Sequence, residues 1–153
     1  MPKTTIENLA GLKARIGEEL AVSDWLEITQ QRITQFAEAT GDHQWIHVDA
    51  ARAAQESPFG GTIAHGYLTL SLLAKFAQDS IAIGHVLMAV NYGLNRVRFT
   101  APVRAGQRVR ARFKLAAYDE IAGGVQLTWQ ATVEIEGSEK PACIAETISR
   151  WYV

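Results

Sequence analysis

One cysteine in 153 residues is the first constraint this chain sets on itself. A single thiol, Cys143, excludes an internal disulfide framework and fits a reducing, cytoplasmic setting. Cys143 lies in an alternating apolar segment and reads as a small buried hydrophobe rather than a nucleophile. Charge of one sign is also missing. With 15 Lys and Arg against 16 Asp and Glu, the net charge of −1 gives no global field to draw in nucleic acid or a membrane surface. No apolar run approaches the length of a membrane span. Residues 1–7 lack the apolar core of a signal peptide. Repeats, low-complexity tracts and linkers are absent, so residues 1–153 read as one domain with one core.

What is present is 48% apolar and 20% charged, the balance of a globular protein. Ile6, Leu9 and Leu12 have helical spacing, which predicts a short helix over 4–12. Trp25 to Ile28 reads as a short strand. Thr29 is placed to cap a helix over 30–40 that Gly41 ends. Asp49 is placed to cap a short helix to Gln55, and Ser57-Pro58-Phe59-Gly60-Gly61 is a loop. From Gly66 to Gln78, apolar residues fall on nearly every side, which predicts a buried helix.

The period then changes to two. Val97 and Phe99 alternate with Arg96 and Arg98. Val109, Ala111, Phe113 and Leu115 alternate with Arg108, Arg110, Arg112 and Lys114. Val125 through Ile135 repeats the pattern, Glu136-Gly137-Ser138 is a turn, and Ala142 to Tyr152 is a last strand. One buried helix followed by long strands with one apolar face each predicts an α+β fold, a curved antiparallel sheet around that helix.

The chemistry concentrates in Thr40-Gly41-Asp42-His43-Gln44-Trp45-Ile46-His47. Gly41 allows a sharp bend, so Asp42 and His47 can be aimed at one point. A carboxylate and an imidazole on one water form a general acid/base pair. The bland alternative is that each merely caps a local element. Further on, Ala64-His65-Gly66 opens the apolar helix. The free N–H groups of a helix start can receive a developing oxyanion.

Together these blocks resemble the MaoC-like family of (R)-specific enoyl-CoA hydratases and 3-hydroxyacyl-thioester dehydratases. The family pattern is Gly-Asp-x-Asn-Pro-x-His, then His-Gly at a helix start. Gly41, Asp42, His47, His65 and Gly66 keep it; Gln44 and Trp45 stand where Asn-Pro is usual. The Gln-Trp variant, with Asn91-Tyr92-Gly93-Leu94-Asn95, is similar to the nodulation-protein-N-like branch. The resemblance covers roughly residues 15 to 150. It implies a hotdog fold with the helix from Gly66 at its centre, and a homodimer that joins two sheets. It implies water addition to C3 of a 2-enoyl thioester, with Asp42 and His47 moving protons and the Gly66 amide holding the thioester oxygen. No metal or redox cofactor enters that chemistry.

Around this centre, Gln44, Trp45 and His65 are candidates for substrate contact. Trp45 is expected to wall the acyl pocket, and His65 either lines the site or makes a structural hydrogen bond. Trp25, Trp129 and Trp151 are expected in the core. His43 with His47, Asp42 and Asp49 has the composition of a metal site, but Gly41 argues against the helix that would align the two histidines. His85 is expected to stand apart from the chemistry. Arg96, Arg98 and Arg104 are candidates for the phosphates of coenzyme A. Arg108, Arg110, Arg112 and Lys114 are expected on a solvated sheet face. Three rivals remain: a hotdog thioesterase, a non-catalytic acyl-thioester binding module, and one subunit of a heteromeric dehydratase.

Overall fold

A computed structural model describes residues 1–153. Long alternating segments become long strands, because one apolar face per strand can be buried only against another layer. The main sheet is antiparallel. Its strands are β2 (Glu19–Val22), β3 (Leu26–Glu27), β5 (Met88–Phe99), β6 (Arg108–Ile121), β7 (Gly124–Ile135) and β8 (Cys143–Tyr152). Their order is β2-β6-β7-β8-β5, with β3 also on β6. Helices α1 (Gln30–Thr40), α2 (Trp45–Val48) and α3 (Ala50–Glu56) lead to the long α4 (Gly66–Ser80).

Leu68, Leu72, Leu73 and Phe76 of α4 join the inward residues Val109, Ala111, Phe113, Leu115, Leu127, Ala131 and Val133 in one core. Helix α4 touches β2, β6, β7 and β8. This is the expected sheet around a helix, the hotdog arrangement. Irregularities in register curve the sheet: one in β6 between Leu115 and Ala117, two in β5 between Asn91 and Gly93 and between Leu94 and Arg96.

Several elements differ from what the spacing predicts. The helix expected over 4–12 is instead β1 (Thr4–Ile6) followed by a 3₁₀ helix, Leu9–Arg15. Strand β1 runs parallel to β4 (Ile81–Ile83), and that pairing overrides the local helical spacing of Ile6. Strand β2 has no counterpart among the predicted elements. Helix α4 is not buried all round: Tyr67, Ser71, Lys75, Gln78 and Asp79 are exposed. The caps behave as read. Thr29 Oγ1 accepts from the Arg32 amide at 3.1 Å, and Asp49 Oδ1 accepts from the Arg52 amide at 3.0 Å.

The outer face of β6 is a solvated ladder of charge. Arg108 pairs with Glu136, Arg110 with Glu134, and Arg112 with both Glu134 and Glu19. Cys143 is fully buried, and burial pushes its thiol up to about 11. Trp129 is in the core as expected, whereas Trp25 and Trp151 are only half-buried. At the opposite edge, β5 is exposed along nearly its whole length.

Candidate active site

Helix α1 ends on Gly41, whose φ of 79° is the left-handed C-cap conformation; its N–H donates to the Ala37 carbonyl at 2.8 Å. A residue with a Cβ is strained there, so glycine is what turns the chain out of the helix and delivers Asp42 to the loop. Helix α2 follows at once and carries His47 on its only turn. The carboxylate of Asp42, a ring nitrogen of His47 and a ring nitrogen of His65 all lie within 4.8 Å of one another. Two residues expected to converge do so, and a third from the start of α4 joins them.

His47 is 7% exposed. Its Nδ1 is 2.7 Å from the Ile63 carbonyl. A carbonyl only accepts, which assigns the ring proton to Nδ1 and leaves the Nε2 lone pair free. Burial is the largest influence on its titration and lowers its pKa from the ordinary 6.5. The Ile63 carbonyl and Asp42 pull it up, and His65 pushes it further down. The balance favours neutral imidazole, the form that accepts a proton. Asp42 is exposed, and its Oδ1 receives only a long 3.4 Å contact from the Gln44 amide.

His65 is 3% exposed and caps α4 without a side-chain bond to the helix. Its Nε2 lies 3.0 Å from the Asp42 carbonyl. Its ring stacks on His47 with centroids 3.8 Å apart and 21° between planes. Near-parallel rings aim their in-plane lone pairs side by side rather than at a common point, so this pair is poorly shaped to chelate one ion despite its composition. The amide of Gly66, next in the chain, has no acceptor within the protein. A Cβ built on Gly66 would lie 2.9 Å from the Phe99 ring, so Phe99 packs directly on the helix start.

The remaining candidates are spread out. Gln44 is exposed and precedes α2, and Trp45 opens that helix half-buried with the Arg52 guanidinium 4.1 Å over its ring. His43 is exposed, and His85 is exposed in a loop with φ of 55°; neither is among the converging side chains. Arg96 and Arg98 of β5 stand in register opposite Glu146 and Ile144 of β8, on the sheet face opposite to Val97 and Phe99. They are not brought to Asp42 and His47. Arg104 bridges Ile63 backbone to backbone, one step from the His47 acceptor. It lines a cavity of about 430 Å³ with Gly60, Gly61, Thr62 and Gln107. Another cavity, of about 240 Å³, lies at Met1 and β2; neither includes Asp42, His47 or Gly66.

Several supporting residues carry no sequence signal. Gln30 donates to the His47 carbonyl at 2.8 Å and accepts from Thr62 at 2.5 Å, tying α1, α2 and the 57–65 loop together. Phe36 packs on His65 with centroids 4.9 Å apart. The alternation marks Phe99 only as an inward strand residue. Each works through tertiary contact, which no local spacing announces.

The chain matches the family described as MaoC like domain over residues 12–135. It is 53% identical over 148 residues to 3-hydroxyacyl-thioester dehydratase Z of Mycobacterium tuberculosis, with 96% of this chain and 97% of that relative covered. Nodulation protein N of Rhizobium leguminosarum bv. viciae is 50% identical over 145 residues, covering 93% of this chain and 89% of the relative. The R-hydratase of Pseudomonas aeruginosa, in its unliganded form, superposes with a TM-score of 0.72 over 93% of this chain and 83% of that one. Its 22% identity speaks for the fold alone. Family match and full-length relatives agree with the turn, the helix start and the sheet that hold the site, and the chain belongs to the MaoC-like dehydratase family.

Proposed function

We propose that this carbon–oxygen lyase interconverts 2-enoyl and (R)-3-hydroxyacyl thioesters through Asp42 and His47. One observation carries the reading: an exposed carboxylate and a buried imidazole with a free Nε2 lone pair lie within 4.8 Å of each other. In hydration, a water held between them adds its oxygen to C3. Its proton passes to His47 Nε2 while the C2–C3 π pair moves toward the thioester oxygen as an enolate. The Gly66 amide, free at the start of α4, stabilises that oxygen. The proton at Nε2 is then delivered to C2, and the thioester is restored. Asp42 orients the water and offsets the transient imidazolium charge. Dehydration runs the same path backwards.

The water addition is redox-neutral, and the amide supplies the electrophilic contact, so the reading calls for no metal or redox cofactor. Gln44 and Trp45 are assigned to the substrate side of the loop. Arg104, facing an open cavity beside the loop, is the favoured contact for coenzyme A phosphates. Arg96 and Arg98 lie on the far sheet face and would contribute only around the edge of β5. We also propose that residues 1–153 act as one domain, in the cytoplasm, as a homodimer. The exposed β5 edge and the apolar Tyr67, Leu94 and Phe99 beside it support pairing with a second copy.

The deciding experiment follows the absorbance of the enoyl-thioester band with crotonyl-CoA and longer enoyl-CoA substrates. Loss of the band on hydration, with no free thiol released, is the expected result. Thiol release without 3-hydroxyacyl product would replace this reading with a thioesterase. No turnover by the purified chain alone would replace it with a binding module or one subunit of a heteromer.

A further inference from the structure

We propose that His65 is the positioning residue of this site, fixing Asp42 and His47 in one geometry without touching substrate. The inference deepens the hydratase reading and rests on it. Three contacts from one buried ring carry it. Nε2–H donates to the Asp42 carbonyl at 3.0 Å, across 23 residues of chain. The ring face lies on His47 at 3.8 Å. Phe36 of α1 braces the ring at 4.9 Å and 57°.

Each contact removes a freedom that the other contacts leave. Asp42 follows the left-handed Gly41, and its side chain has only the long 3.4 Å contact with the Gln44 amide. The bond to His65 is what anchors its backbone between the end of α1 and the start of α2. His47 is held at Nδ1 by the Ile63 carbonyl, which sets which way the ring points but tolerates tilting of its plane. A second ring stacked on its face limits that tilt and steadies the direction of Nε2.

The choice of imidazole is also informative. With the proton on Nε2, Nδ1 is a buried acceptor with no donor. Buried polar side-chain atoms are nearly always partnered, and a phenylalanine would stack on His47 and Phe36 without that orphan. What phenylalanine cannot do is donate to Asp42. His65 also precedes Gly66 directly, so the residue that anchors the acid/base pair is covalently joined to the amide that receives the oxyanion. Water, base and oxyanion donor share one frame, as transition-state stabilisation demands.

The test compares His65→Phe and His65→Gln with wild type, Asp42→Asn and His47→Gln, all as the full chain, with crotonyl-CoA as the probe. His65→Phe keeps volume and stacking. It should keep its Tm and KM while kcat falls roughly 10- to 100-fold, the scale of a slightly misplaced reacting group. The acid limb of its pH profile should move up as His47 loses the neighbouring imidazole; Asp42 and His65 are the charged or titratable groups that influence His47, and Phe36 is apolar. His65→Gln, whose amide nitrogen reaches the Nε2 position, should recover much of kcat. Wild-type kcat and an unmoved pH profile in His65→Phe would overturn the proposal. So would losses in both variants that merely track a lowered Tm. If Asp42→Asn and His47→Gln themselves keep turnover, the hydratase reading falls and this proposal with it.

Discussion

At the scale of single residues, the site is a division of labour set by burial. Asp42 is exposed and His47 is buried, and that burial favours the neutral form of the imidazole. Asp42→Asn and His47→Gln should each lower kcat by roughly 10²–10⁴-fold with little change in Tm. The double variant should be hardly worse, since groups that act as a unit lose their effect together. Near wild-type turnover in either single variant would remove the pair from the mechanism. Because burial lowers the His47 pKa, the acid limb of kcat/KM should fall below pH 6.5. The same depression makes the unfolded chain bind its proton more readily, so this group's share of stability is intact above 6.5 and is lost as pH drops beneath it. Gly66 is more constrained than its place in the motif suggested. Its φ is not positive, but a new Cβ would meet Phe99 at 2.9 Å. Gly66→Ala should therefore lose about 1–3 kcal/mol from overpacking. Its kcat/KM should fall by roughly 10²–10³-fold. Adding Phe99→Leu should restore Tm and leave activity low. Full activity in Gly66→Ala would move the oxyanion donor elsewhere in the loop.

At the scale of elements, what was legible had a local cause. The caps Thr29 and Asp49, the stop at Gly41 and the alternation in β6 and β7 are written in neighbouring residues. What stayed hidden depends on partners distant in sequence. Strand β1 exists because β4 receives it, and β2 is four residues long with no clear alternation. The first half of β5 carries no legible strand period, because Gly93 and two bulges interrupt it. Those bulges re-aim Leu94, Val97 and Phe99 toward the helix side, opposite Thr147, Ala145 and Cys143. The Asp42/His47 convergence was readable from the Gly41 turn, whereas the hold of Ile63, Gln30 and Phe36 on it was not. Element geometry also separates the three arginines. Arg104→Gln should raise KM for an enoyl-CoA roughly three- to fivefold, the scale of one partly exposed charge contact. It should leave KM unchanged for the pantetheine thioester, which lacks the nucleotide phosphates. An equal effect on both substrates would take Arg104 out of the coenzyme A contacts.

At the scale of the whole molecule, the single chain leaves apolar side chains beside its site exposed. Tyr67 is 70% and Phe99 45% exposed beside the Gly66 amide, and the strand next to them has a free edge. Light scattering at micromolar concentration should give the mass of a dimer. If β5 forms the proposed joint, Leu94→Asp should shift it toward monomer and lower activity in step, because a charge would be buried there. A wild-type monomer would count against the pairing. The lone thiol has a consequence of a different kind. Cys143 is sealed in the core with its pKa pushed to about 11, so alkylating and oxidising reagents should find almost no thiolate. Maleimides should leave the molecule unlabelled as it stands. A cysteine introduced at exposed Leu87 would be its sole reactive labelling point, and a spin label there would report the distance between the two copies of the proposed dimer without any background to subtract.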